Sequence, residues 1–159
     1  MDTLLQGGTI VTPQGSFAGD IRIRGERIAE IGEGLIAQGE KVIPVEGKLL
    51  FPGFIDTHTH FDLDAGTFHT ADDFATGTRA AIAGGTTVIL DFTTQEKGET
   101  LMEALGNWHR LADGKCSCDY GFHMSITDWN ETVRKELPLM TREGVTSYKL
   151  YMAYDNLRV

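Results

Sequence analysis

Thr86-Thr87-Val88-Ile89-Leu90 is the stretch whose reading decides the fold. It is a continuous apolar and β-branched run, the pattern of a strand covered on both faces. Such strands belong to parallel sheets with helical crossovers, and the flanking sequence has that rhythm. Strand-like segments are expected over residues 53–60, 86–92, 119–126 and 146–152. Between them lie three helical stretches. The first is expected to open at Thr70, with Asp73 three residues on as a variant capping box, and to end at Gly84-Gly85. The second starts after Thr100 with Glu103 in the capping-box position, carries Leu101, Leu105, Trp108 and Ala112 on one face, and ends at Gly114. The third places Val133, Leu137 and Met140 on one face, with Pro138 expected to interrupt it and begin a fresh short helix.

Residues 1–50 read differently. Short alternating or β-branched runs stand between glycines: Thr9-Ile10-Val11, Asp20-Ile21-Arg22-Ile23-Arg24, Arg27-Ile28-Ala29-Glu30-Ile31 and Lys41-Val42-Ile43. Ile21 and Ile23 are expected on one face and Arg22 and Arg24 on the other, as in a half-buried antiparallel strand, with a hairpin turn at Gly25-Glu26. The chain therefore divides into N-terminal strands of a small β domain, residues 1–50, and three to four βα units, residues 51–159. A closed (β/α)8 barrel takes about 250 residues. The 159 residues are accordingly expected to be part of a longer protein.

Composition bounds the partners. The 14 Lys and Arg against 23 Asp and Glu give a net charge of −9, with 41% hydrophobic and 23% charged residues, the profile of a globular acidic protein. With no basic cluster, binding to a nucleic acid backbone is not expected. The sequence opens without a basic and apolar leader, and no apolar run is long enough to span a bilayer, so neither export nor membrane insertion is expected. Cys116 and Cys118 stand one residue apart, neither a zinc-knuckle nor a Cys-x-x-Cys spacing, and read as packing or surface residues in a cytoplasmic protein.

Two features carry chemistry. In Pro52-Gly53-Phe54-Ile55-Asp56-Thr57-His58-Thr59-His60, the histidines are two apart on a strand and project to one side, where they can hold a cation together. They fall at the C-terminal end of the first strand of the βα series, where barrel enzymes place their active sites. Lys149, in Thr146-Ser147-Tyr148-Lys149-Leu150-Tyr151-Met152, stands inside a stretch read as a buried strand, where an ammonium is costly unless paired or neutralised. Its head either snorkels to water or, with low polarity and nearby cations depressing its pKa, is a neutral amine able to react with carbon dioxide. The resulting carbamate could bridge two metal ions. Five aspartates (Asp56, Asp62, Asp64, Asp72 and Asp73) fall in the same region with no Lys or Arg among them, a setting suited to a cationic centre.

With these residues the chain resembles the dihydropyrimidinase and D-hydantoinase family of the metal-dependent amidohydrolase superfamily. The resemblance also runs through Thr70-Ala71-Asp72-Asp73-Phe74, Gly77-Thr78-Arg79-Ala80-Ala81, Ala83-Gly84-Gly85-Thr86-Thr87, Asp119-Tyr120-Gly121-Phe122-His123 and Lys149-Leu150-Tyr151-Met152-Ala153-Tyr154. It implies an α/β fold, part of a TIM-type (β/α)8 barrel preceded by strands of a small β-sandwich domain. It implies that His58, His60 and Lys149, as a carbamate, bind two divalent metal ions, zinc by family habit, with carbon dioxide supplying the carbamate. A metal-bound hydroxide would open a small cyclic amide, a hydantoin or dihydropyrimidine, with Tyr154 donating to the oxyanion.

The loop of Leu63 and Ala65 would line the substrate pocket. Resembled enzymes carry Pro-Phe or a similar apolar pair where this chain has Asp64-Ala65, implying a roomier or more polar pocket. The family's remaining two histidines and aspartate lie on later strands, so residues 1–159 alone are expected to be inactive. His69, His109 and His123 are assigned supporting or ordinary roles. A homotetramer is implied for the full-length protein. Allantoinase, dihydroorotase and a non-catalytic scaffold are the alternatives.

Overall fold

The computed structural model describes residues 2–159 and divides into two compact units, one ending at Pro52 and the other spanning Gly53–Val159. The first holds β1 (Thr3–Thr12), β2 (Gly15–Arg24), β3 (Arg27–Gly32), β4 (Lys41–Pro44) and β5 (Leu49–Leu50) in one five-stranded sheet, ordered β3-β2-β1-β4 with β5 also on β1. The hairpins β1-β2 and β2-β3 are antiparallel, while β4 and β5 run parallel to β1. The β2-β3 turn is at Gly25-Glu26 as expected, and Gly25 takes φ +59°, open to a residue without Cβ.

Side chains of β2 alternate as expected, but the arginine face at Arg22 is the more deeply covered one. Arg22 is only 3% exposed, whereas Ile21 and Ile23 are half-buried. Segment 33–40 folds over the Arg22 face: the guanidinium binds the carboxylates of Glu40 (2.7 Å) and Glu30 and donates to the Ile36 carbonyl (2.6 Å). On the same face Asp20 accepts the Gly7 N–H at a bulge in β1 and the Leu35 N–H. A loop that satisfies a cation and a carboxylate thus covers the polar face of this strand. The unit is a single sheet among the described residues, and a second sandwich layer is not seen there.

The second unit alternates β6 (Phe54–Thr59), α1 (Phe74–Ala83), β7 (Thr86–Thr94), α2 (Leu101–Ala112), β8 (Asp119–Ile126), α3 (Glu131–Arg142) and β9 (Tyr148–Leu150). The four strands lie in sequence order in one parallel sheet, curled as part of a barrel. Outward residues of β7 and β8, among them Ile89, Phe122, Met124 and Ile126, pack against Phe74, Leu101, Leu105, Val133 and Met140 of the helices.

Three boundaries move. Helix α1 is capped by Asp73, whose carboxylate accepts the Thr76 N–H while Thr76 Oγ1 accepts the Asp73 N–H. Thr70 is not the cap, because its hydroxyl accepts the Leu63 N–H and closes the preceding loop. Helix α3 runs unbroken through Pro138, with Val133 and Met140 buried on either side; this core anchorage outweighs the one backbone bond proline removes. The last strand is three residues long and forms the sheet edge, leaving Tyr148 39% and Leu150 58% exposed. Helix α2 starts as expected, with the Thr100–Glu103 capping box. Cys116 and Cys118 are free thiols half-buried against the core, and burial, ahead of the neighbouring thiol, pushes Cys116 up to about 11. Both stay protonated at neutral pH, in keeping with a packing role.

Candidate metal centre

The site is built where β6 meets β7. Two compensating irregularities mark that ladder. The register passes from Phe54↔Thr86 to Ile55↔Val88, skipping Thr87, and then from Asp56↔Ile89 to Thr59↔Asp91, which sets Thr57 and His58 of β6 against the single residue Leu90 of β7, one extra residue on β6. The first requires Gly53, where a Cβ would stand 2.0 Å from Thr87 Oγ1. The second re-aims the strand just where the histidine pair begins.

His58 and His60 meet edge to face with ring centroids 5.2 Å apart. Both pack on Phe92 of β7, at 4.6 and 5.1 Å, and Lys149 Nζ of β9 stands 4.3 Å from the centroid of that same ring. Phe92 is thus the common surface on which three residues from two strands gather, with the aromatic face favourable to the lysine cation. His60 Nδ1 is buried without a hydrogen-bond partner, and burial, followed by Lys149 and His58, lowers its pKa below the ordinary imidazole value. A neutral ring with an unengaged nitrogen is the form that ligates a metal ion. Two imidazoles and an amine able to become a carbamate fit a divalent metal in donor type. Among the described residues no group of three or more His, Cys, Asp or Glu side chains is placed to hold a metal ion, so the donor set present is a partial one.

Behind the pair, Asp91 is 1% exposed. Its carboxylate accepts Thr59 Oγ1–H (2.8 Å), Phe61 N–H (2.9 Å) and its neighbour's Phe92 N–H (2.7 Å), and the Trp108 indole N–H approaches without completing a bond. Burial pushes its pKa up while these donors pull it down. A carboxylate directly after the run that decided the fold, and within the same strand, was the sequence signal for this clamp; Phe92 carried no such signal.

The other expected residues fall elsewhere. Tyr154 lies in the turn after β9, 70% exposed, with φ +67° and its ring 6.4 Å from that of Tyr151. Leu63 and Ala65 belong to an ordered loop tied by Thr70 N–H to the Leu63 carbonyl and Ala65 N–H to the Phe68 carbonyl, with Leu63 half-buried and Ala65 exposed. Four of the five aspartates are turned to local bonds rather than to a cation. Asp56 accepts the His58 N–H, Asp62 the Phe74 N–H at the start of α1, Asp64 the Gly66 N–H, and Asp73 caps α1. His109 sits on α2 beside Asp113 and Tyr120, and His69 in the loop beside Asp64.

A parallel βα sheet with a His-x-His pair at the C-terminal end of its first strand defines a class, and the amidohydrolase family model matches residues 49–152; the chain belongs to that family. Within it, the chain is 45% identical to the D-hydantoinase of Geobacillus stearothermophilus over 99% of its own length and 34% of that protein's, and 43% identical to the dihydropyrimidinase of Dictyostelium discoideum over 96% and 31%. It superposes on the crystal structure of dihydropyrimidinase from Brevibacillus agri with a TM-score of 0.96 at 44% identity, covering 100% of this chain and 35% of that one. The chain spans about a third of the length of the curated relatives it matches.

Proposed function

We propose that this chain is the N-terminal part of a metal-dependent cyclic amidase that opens hydantoin or dihydropyrimidine rings. The observation that carries the reading is the gathering of His58, His60 and Lys149 on Phe92, with a buried, unpartnered nitrogen on His60. His58, His60 and carbamylated Lys149 would hold two divalent ions, zinc being the metal suited to imidazole and carbamate oxygen. When bound, such ions supply a Lewis acid for the ring carbonyl and an acidified water.

The chain's own residues do the rest of what falls to it. His60 presents a neutral lone pair because burial disfavours its charged form. Asp91 holds the outer side of the strand on both flanks of His60. Tyr154 serves as a hydrogen-bond donor to the substrate oxygen, and the loop of Leu63 and Ala65 borders the ring substituent. The exposed Tyr154 is brought over the site by packing against later parts of the barrel, and residues 1–159 alone are inactive. The N-terminal sheet is one layer of a small sandwich, its half-buried Ile21 and Ile23 and exposed Ile31 offering an apolar face for the other layer. The protonated, unpaired cysteines suit a cytoplasmic address.

The test is metal analysis of the full-length protein together with parallel assays on dihydrouracil, hydantoin, allantoin and dihydroorotate. Bound metal and turnover of the first two rings support the reading. Turnover of only the last two would make it an allantoinase or a dihydroorotase. A chain that opens no ring, even with added zinc and bicarbonate, would reduce it to a scaffold.

A further inference from the structure

His123, at the middle of β8, has both imidazole nitrogens engaged, whereas among the described residues no hydrogen bond is seen to the ring of His58 or His60. Nε2 lies 3.0 Å from the Thr57 carbonyl of β6, and Nδ1 meets Ser147 Oγ just before β9. A carbonyl only accepts, so Nε2 carries the proton and the Ser147 hydroxyl donates to Nδ1. The ring therefore has no lone pair left for a metal ion. Its place is informative. Thr57 shares with His58 the bulge where the β6-β7 ladder shifts register, and Ser147 is two residues before Lys149. The Ser147 carbonyl is also held, by the Met124 N–H at 3.1 Å. The His123 ring lies 4.7 Å from Phe92, the surface shared by His58, His60 and Lys149.

We infer that His123 is a positioning residue that sets the span between the His58–His60 strand and the Lys149 strand, bridging them past β7 through Thr57 and Ser147. The inference rests on the metal-centre reading above. The ladder is locally disrupted at a bulge, so the bond from His123 to the Thr57 carbonyl supplies a tie that the neighbouring strand does not, and a displacement of Thr57 would carry His58 with it. Groups that orient metal ligands change metal affinity by about 10–100-fold when removed.

The experiment uses the full-length protein loaded with Co2+ and reads metal affinity by chelator competition, the visible cobalt spectrum and the thermal midpoint. His123→Phe keeps a ring on Phe92 but makes neither bond; it is expected to bind Co2+ at least about 10-fold more weakly, with an altered spectrum. His123→Gln places an amide N–H at the Nε2 position and is expected to recover most of that loss. Ser147→Ala removes one arm and is expected to fall between wild type and His123→Phe, at an unchanged thermal midpoint; it serves in place of His123→Phe if that variant does not fold. Wild-type affinity and spectrum in His123→Phe, or in Ser147→Ala where it is used instead, overturn the inference. So does a His123→Gln variant no better than His123→Phe. A wild-type protein that binds no Co2+ overturns the metal-centre reading as well, which separates the two failures.

Discussion

The Asp91 carboxylate accepts the backbone N–H of Phe61 at 2.9 Å, one residue past His60, while the same oxygen accepts the Thr59 hydroxyl one residue before it. The clamp sits on the side of the sheet away from the histidine rings and holds the strand from behind. Asp91→Ala leaves buried donors without acceptors and is expected to cost about 1–3 kcal/mol, read by urea unfolding of the full-length protein. Asp91→Asn keeps one carbonyl acceptor and is expected to lose less. Equal stability of all three proteins would show that the clamp holds nothing.

Lys149 is expected to be required for metal loading through its carbamate. Lys149→Met should reduce bound metal well below the wild-type level, and wild-type protein refolded without bicarbonate should load less than protein refolded with it. Atomic emission reports both, and bicarbonate-independent loading would argue against the carbamate.

The same substitution is expected to act with opposite sign at two helical glycines. At Gly77 on α1 a Cβ would stand 2.2 Å from the ring of Phe61, so Gly77→Ala forces that ring to move and should destabilise by about 1–3 kcal/mol. At Gly106 on α2 the nearest atom is the end of Arg110 at 3.6 Å, so Gly106→Ala should stabilise by about 0.5–1 kcal/mol. Denaturant midpoints of the two variants decide this.

Glu40 gives a pH signature. The Arg22 guanidinium, with backbone N–H donors, lowers its carboxyl to about 2 from 4.5, and the two side chains are 5% and 4% exposed. A carboxylate whose folded pKa is lowered contributes stability above its unfolded value, and that contribution is lost as pH falls through the folded one. Wild type should therefore exceed Glu40→Gln in stability at pH 7. The gap should close between about pH 4.5 and 2. A constant gap in urea midpoints across that range would mean that the Arg22–Glu40 pair is not what holds segment 33–40.

Much of the fold was legible because it follows from local pattern. The runs at Thr86–Thr94 and Asp119–Ile126, the Thr100–Glu103 box and the Gly25-Glu26 turn each depend on residues within a few positions of one another. Reading failed where two local solutions competed. Thr70 and Asp73 are both good caps, and only the loop closing on Leu63 N–H shows which is free for α1. Pro138 signals a break, yet α3 continues through it with Val133 and Met140 buried on either side. Arg22 alternates with isoleucines and so reads as exposed, but Glu40, 18 positions away, buries it.

The sequence by itself determined that successive βα units form here, that the His58-x-His60 pair ends the first strand and that Lys149 lies on the fourth, since strand order and side-chain alternation follow from local periodicity. Only the tertiary structure decided what surrounds them: Phe92 as their shared surface, Asp91 clamping from behind and His123 joining Thr57 to Ser147. Those relationships join residues 24 to 66 positions apart, through a bulge whose register is set by the neighbouring strand. Periodicity along one segment carries no information about which atoms of another will meet it.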